Sequence, residues 1–585
     1  MRNLLLATSA FVLVGVAGCS TKEVTEGPPM MVDTAAPTEF VDTPAGDEIA
    51  GEILIDAKDD VSESDIADLA KIAGVPLHAA SSLSNDMDKF EVADVNATDE
   101  ERVLEALRAD PRVEHAEPME IFKAAFVPND PLYKEKQWHL KRVGAETAWE
   151  YACGQGVTVA VVDTGIACYD KAPFMKGTDL QGTNCTSGWN FVDDRAEAWD
   201  DQGHGTHVAG TIAQTTNNGK GVAGLAHCAT LMPVKVLSKH GWGTTANVAE
   251  GIRWAADHGA QVINMSLGGP IKSQILEDAV KHAVSKGVLI VAAAGNSGKS
   301  VGYPAAYPDV LAVSATDSND NIAWFSSRGP QIAIGAPGVA VTQQTICNQG
   351  KDKCEVFGTF NGTSMASPHV AGVAALLVGE GVTDPGALKD TLQSTARPKS
   401  EKNLFGAGIL DASAATTHVF YTHLALRLGA LAALIALVAM RIKRKNGKFG
   451  WGIGATVGAL LTGVGLVPVL PIAGVLARAG GLRPWLEMLA RPLGEWDILF
   501  SAGIHRFLPL ASALPAIAAS ALFFGSKRLR PIVGGIALGS AALLTQMAFS
   551  GETAFFLGGA LGMRVFAVAN AAVCLWLGRM ALDKK

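Results

Sequence analysis

Three short blocks of this 585-residue chain hold a carboxylate, an imidazole and a hydroxyl in settings where each could react. The apolar run Val157-Thr158-Val159-Ala160-Val161-Val162 ends in Asp163-Thr164-Gly165. That pattern puts a carboxylate at the carboxyl edge of a buried strand, the edge at which sites form in open α/β sheets. The block Asp201-Gln202-Gly203-His204-Gly205-Thr206-His207-Val208-Ala209-Gly210 opens a helix with two histidines. Gly362-Thr363-Ser364-Met365-Ala366-Ser367-Pro368-His369-Val370-Ala371-Gly372 opens another, with Ser364 in its first turn. A serine hydroxyl is a weak nucleophile until a histidine takes its proton, and a carboxylate can hold that histidine in the productive tautomer. Each feature alone has an ordinary reading, since serine is a common helix N-cap and a histidine in an apolar helix is usually packed.

The chain order Asp, His, Ser separates this arrangement from the two other common ones, which run His-Asp-Ser and Ser-Asp-His. The three blocks resemble the subtilisin family almost letter for letter, and the stretch from Pro128 to Leu377 is most similar to its thermitase branch. The resemblance implies a serine endopeptidase acting on polypeptides, with Ser364 as nucleophile, His204 as base, Asp163 as its orienting carboxylate and no cofactor for catalysis. It makes Asn296, in Ala294-Gly295-Asn296-Ser297-Gly298, the side-chain donor to the oxyanion beside the Ser364 backbone N–H, and leaves His207 as a structural residue, while His369, a lone histidine in an apolar helix, reads as packed. Gly241-Trp242-Gly243 and Ser266-Leu267-Gly268 match the segments that flank an added substrate strand. Gly302 matches the floor of the first pocket, so large apolar P1 residues should fit with broad selectivity. Met365, beside the nucleophile, should make activity sensitive to peroxide. The family's calcium site maps to Asp130, Asp179 and Asn218, all oxygen ligands as a hard cation requires, although surface turns have the same composition.

These residues need a frame. Apolar runs at 157–163, 230–237, 261–266, 288–294 and 310–314 alternate with helical patterns, which predicts an α/β domain over 126–416 with a parallel sheet covered on both faces. Ahead of it, residues 49–125 read as strand 52–56, helix 62–73, strand 89–92, helix 99–109 and strand 113–116, with Thr98 and Glu101 as a capping box for the second helix. An acidic module in this place resembles the ferredoxin-like inhibitory propeptide of subtilisins, an intramolecular partner cut away after folding. Cleavage after Ala125 would make Phe126 the new N-terminus.

The two ends carry addresses. Residues 1–19 read as an export signal, with Val16-Ala17-Gly18-Cys19 resembling the bacterial lipobox that lipidates the cysteine, and 20–48 as a disordered tether poor in large apolar residues. Export favours disulfides, and the expected pairs are Cys153 with Cys228, Cys168 with Cys185, and Cys347 with Cys354. The first pairing rests on both cysteines preceding strands that should be sheet neighbours. Residues 420–585 read as an all-α membrane bundle of about five spans, at 422–440, 450–477, 503–525, 531–549 and 558–580. Basic residues follow the first span (Arg441, Lys443, Arg444, Lys445, Lys448), the third (Lys527, Arg528, Arg530) and the last (Lys584, Lys585). By the positive-inside rule these ends are cytoplasmic, so the catalytic region faces outward on a bacterial cell envelope. The formal charge of −9 argues against nucleic acid as a partner. A peptide-binding pseudo-protease is disfavoured because all four catalytic positions hold competent residues. A transporter or an intramembrane protease is disfavoured because the spans hold few charges, Arg564 being the clearest, and His423 and His505 lie at their ends.

Overall fold

The computed structural model describes residues 40–43, 46–81, 84, 89–120, 126–170, 174–346, 357–497, 509–550 and 559–584. The chain divides into two compact units, Met1–Ala124 and Ala125–Lys585.

The first unit is an antiparallel sheet with two helices. Strand Gly46–Ala57 pairs with Phe40–Thr43, Lys89–Asp94 and Val113–Glu120, and Leu77–Ala79 pairs with Lys89–Asp94. Helix Glu63–Ala73 starts at a reciprocal capping box of Ser62 with Asp65 and stops at left-handed Gly74. The capping box expected from Thr98 is not formed: helix Glu100–Arg108 has Asp99 at its N-cap without a side-chain hydrogen bond. The Glu100 carboxylate instead accepts from Gly51 N–H across the sheet at 2.8 Å. Ile53, Ile55, Leu69, Val103, Leu104 and Leu107 fill the core. The expected tether reaches only as far as the sheet allows, because Phe40–Thr43 joins it by backbone pairing, which needs no apolar side chains. The signal segment and Cys19 lie outside the described residues.

In the second unit a central sheet runs Ile332–Pro337, Val310–Thr316, Leu289–Ala293, Val262–Met265, Thr158–Asp163, Thr230–Lys235, all parallel. Along its inner strands the side chains alternate between two cores. Val159, Val161, Val291 and Val313 face the helices His204–Ala213 and Thr363–Gly379, while Ala160, Val162, Ile290 and Ala312 face Thr245–Asp257 and Ala279, Val280 and Ala283 of Gln274–Ser285. Both faces are therefore dry, which explains strands with no polar alternation. Thr158–Asp163 leads out to neighbours on both sides, so Asp163 ends the strand at the topological switch point, where a crevice must open. Strand Ile332–Pro337 and hairpin Val341–Gln344 with Phe357–Phe360 were not anticipated from sequence.

The C-terminal region holds, among the described residues, three helices long and apolar enough to cross a membrane: Ala412–Arg444, Arg530–Phe549 and Leu561–Leu582. Five had been expected. The segment 450–477 is no single helix: Ile453–Gly463 is ended by Gly463, left-handed Gly465, Pro468 and Pro471, and a short helix Val475–Arg478 follows. From the segment 503–525 the described part is helix Leu514–Phe523, and 498–508 lies outside the described residues. No break separates the catalytic region from the first apolar helix. Ala412, Ala415 and Val419 belong to the catalytic core, and the same helix continues to Arg444.

Candidate active site

Asp163, at its strand end, is fully buried and accepts a hydrogen bond from Thr164 N–H at 2.7 Å. The same oxygen lies 2.8 Å from His204 Nδ1, which fixes the proton on Nδ1 and leaves Nε2 as the acceptor. Burial works against the charged imidazole, but the charge and hydrogen bond of Asp163, with Asp200 behind, outweigh it and hold His204 above its ordinary pKa. Ser364 stands in the first turn of Thr363–Gly379. Its Oγ–H donates to Ser266 O, 3.1 Å away. The turn is held by a relay in which Ser367 donates to Asn264, Asn264 donates to Ser266 Oγ at 3.0 Å, and Ser266 donates to Ser364 O at 2.7 Å.

The Asn296 carbonyl oxygen accepts from both Thr363 N–H and Thr363 Oγ–H at 2.9 Å. Anchoring the oxygen in this way fixes the amide orientation and places its NH₂ beside Gly362 at the start of the serine helix, whose dipole favours negative charge. Gly362 has φ +157°, and a Cβ there would come 3.4 Å from Asn296 Nδ2, so this turn is kept bare next to the donor.

Two positioning residues were missed in the sequence. Asp200 is buried and accepts from Thr164 Oγ1 at 2.9 Å, from the N–H groups of Gln202, Gly203 and Thr206 at 2.9 Å, and from Thr206 Oγ1 at 2.6 Å. It thereby ties the end of the Asp163 strand to the start of the His204 helix. Lys235, equally buried, donates to Thr164 O, Asp201 and Leu237 O at 2.7–2.8 Å. Neither lies in the blocks that carry the resemblance; for Asp200 the signal was its place directly before the Asp201–Gly210 block.

The profile of the subtilase family (Peptidase S8) matches residues 154–408. The chain is 38% identical over 335 residues to the Thermophilic serine proteinase of Bacillus sp. (strain AK1), covering 57% of this chain and 79% of that protein. The chain belongs to the subtilase family. Within the family it is also similar to Thermitase of Thermoactinomyces vulgaris, at 42% identity over 259 residues, covering 44% of this chain and 87% of that one. Subtilisin Savinase of Lederbergia lenta is 44% identical over 282 residues, 48% of this chain and 98% of that protein. The subtilase is a serine peptidase of the subtilisin type, thermitase branch, and subtilisins need no cofactor for catalysis.

Beside His204 the subtilase has a cleft of about 470 Å³ lined by Gly241, Trp242, Gly243, Ser266, Leu267 and Gly268, with Tyr303 closing one side. Trp242 is 64% exposed and forms a rim. Gly302 is not in the lining of this cleft. It sits behind Gly269, where a Cβ would come within 3.0 Å of the Gly269 carbonyl.

The expected calcium residues come together. Asp130 accepts from Asn217 N–H at 2.7 Å and Asn218 N–H at 3.3 Å, and Asn218 Nδ2 donates to Asp179 at 2.7 Å. Burial pushes the Asp179 carboxyl up to about 6, with the charge of Asp130 adding to it. Among the described residues no lysine or arginine pairs with either, so two buried carboxylates share one loop without a counter-charge.

Cys153–Cys228 and Cys168–Cys185 are disulfides in the structure, while Cys347 and Cys354 lie outside the described residues. His227 lies beside the first pair, but the thiolates that a metal would need are consumed in the bond. His207 donates to Gly358 O at 3.0 Å and stacks on Phe360. His139 donates to His369, which donates to Met365 O. Burial drives His207 down to about 3 and His369 to about 4, so both stay neutral as packing residues.

Proposed function

We propose that this subtilase is a membrane-anchored endopeptidase, made as a self-processed precursor, in which Ser364, His204, Asp163 and Asn296 carry out acyl transfer on polypeptides that lie as an added strand along Gly241–Gly243 and Ser266–Gly268. The observation that supports the reading is the Asp163–His204 hydrogen bond, which leaves Nε2 to accept a proton, with Asn296 anchored to Thr363 next to Ser364 at the start of the serine helix. Ser364 Oγ attacks the scissile carbonyl as His204 takes its proton. The oxyanion is held by Asn296 and the Ser364 N–H, and His204 then protonates the leaving amine before water repeats the sequence. Large apolar P1 residues are preferred, with broad selectivity. Fluorophosphonate labelling of the processed enzyme tests this: the label belongs on Ser364 and disappears in Ser364→Ala. An enzyme that took no label and cleaved no unfolded protein would be a peptide-binding pseudo-protease instead.

The precursor reading draws support from the first unit, where the strand order and two crossing helices fit a ferredoxin-like propeptide. The division between Ala124 and Ala125, and Phe126 buried edge-on against Trp149 with ring centroids 5.9 Å apart, suit a processed N-terminus at Phe126. Lipid on Cys19 would then leave with the propeptide.

Outward orientation is supported by where the basic residues meet. Lys448–Phe449 pairs with Asp583–Lys584, Ile532 packs on Gly454 and Leu582 on Gly534. All three basic exits thus share one end of the bundle, the cytoplasmic end by the positive-inside rule. A structural calcium would be held by Asp130, Asp179 and the amide oxygen of Asn218, where it would neutralise the paired carboxylates.

A further inference from the structure

Among the described residues, contacts at one edge seat the catalytic region on the membrane bundle. Ahead of strand Thr158–Asp163, Tyr151 packs on Phe420 at 5.1 Å, Gly474 lies beside Glu150, and Cys153 Sγ is 3.9 Å from Glu487. At the far end of the serine helix, Gly379 O accepts from Arg491, and Glu380 lines a small cavity with His423, Arg427 and Glu495. Every one of these catalytic-region residues lies at the amino edge of the parallel sheet or the C-terminal end of helix Thr363–Gly379. Every reacting group lies at the opposite edge: Asp163 ends its strand, Asn296 follows its strand, and Ser364 opens the helix.

The seat is firm. Helix Ala412–Arg444 passes without a break from the catalytic core into the bundle, where the ion pairs Arg427–Glu495 (2.5 Å) and Arg483–Glu487 (2.7 Å) are buried. A hinge at this seam would have to break that helix and pull Arg491 from Gly379 O and Phe420 from Tyr151, so it is opposed. Ser364 and Gly379 are fifteen positions apart on one helix, which at 1.5 Å per residue holds the nucleophile about 22 Å from the seat.

We infer that the fold acts as a ruler: the substrates are polypeptide segments standing clear of the bilayer, and peptide bonds close to a membrane anchor are spared. The inference rests on the membrane-anchored reading above. An extended chain rises about 3.3 Å per residue, so a tethered substrate needs about seven residues to reach Ser364 and a few more to fill the cleft.

The test uses the full-length enzyme in proteoliposomes with model substrates in which one cleavable sequence follows a transmembrane helix after a flexible linker of about 4, 8, 12 or 20 residues. A soluble subtilase, free to approach in any orientation, gives the reference profile on the same vesicles. The expected result is that the 20-residue linker is cut as fast as the same sequence in a free peptide, and that the 4-residue linker is cut at least tenfold slower relative to the reference. Matching profiles for the anchored and soluble enzymes would overturn the inference. Flotation of the vesicles reports separately whether the enzyme is anchored, and cleavage of the free peptide reports whether it is a protease, so failure of either underlying reading is seen as itself.

Discussion

At the scale of single residues, the charge on Asp163 decides how His204 titrates. The base must be neutral in the free enzyme, and its folded pKa is raised above the ordinary value, so activity is present at higher pH and is lost as pH falls through that raised value. The acid midpoint of kcat/KM is therefore expected above about 6.5. Asp163→Asn removes the raising charge and leaves burial to act, so the midpoint should move down while kcat falls by about 10⁴. A midpoint that stayed in place in that variant would show that the imidazole does not depend on Asp163. For Asn296→Ala the expected loss is about 10²–10³ in kcat with little change in KM, the magnitude known for loss of the side-chain oxyanion donor in a subtilisin.

At the scale of elements, two connections hold the site together from outside the motifs. Asp200 joins a strand end to a helix start through five hydrogen bonds to Thr164, Gln202, Gly203 and Thr206. Asp200→Ala strands those buried donors, so unfolding should become easier by about 3 kcal/mol in denaturant titration, with a loss of kcat larger than that of Lys-to-Ala changes on the surface. The disulfide Cys153–Cys228 closes a loop of 75 residues beneath the first two central strands. Cys153→Ser with Cys228→Ser should cost about 4 kcal/mol in the same assay, and a double variant as stable as the parent would assign the bond no structural role. If calcium neutralises Asp130 and Asp179, a chelator should lower Tm in the parent and leave Asp179→Asn unchanged.

At the scale of the whole molecule, the basic residues gathered at one end of the bundle and the catalytic region seated at the other make an orientation with a direct check. A reporter fused after Lys585 should be active only in the cytoplasm, and the protein should stay with membranes through alkaline carbonate extraction. Periplasmic activity of that reporter would reverse the topology. Mass spectrometry of the extracted mature enzyme should find an unlipidated N-terminus near Phe126. A mature, active form beginning at a lipidated Cys19 would instead make the first unit a permanent accessory domain.

The sequence by itself determined the groups whose identity is written in contiguous blocks. Asp163, His204, Ser364 and Asn296 each sit in a run of neighbours that local chain geometry requires, and the strands around them read as strands because both faces are dry. Where the local signal was diluted, the reading failed: apolar density from 450 to 477 outweighed Pro468 and Pro471, and Thr98 looked like a cap although Glu100 reaches Gly51 instead. What only the tertiary structure decided are relations between distant segments. The ties of Asp200 and Lys235 to Thr164, the meeting of Asn218 with Asp179, and the seating of Gly379 on Arg491 span chain separations of 36 to 112 residues. No local pattern encodes them, because their energies come from burial and pairing that exist only once the sheet has brought its two edges, the reacting one and the seated one, to opposite ends of the same helix.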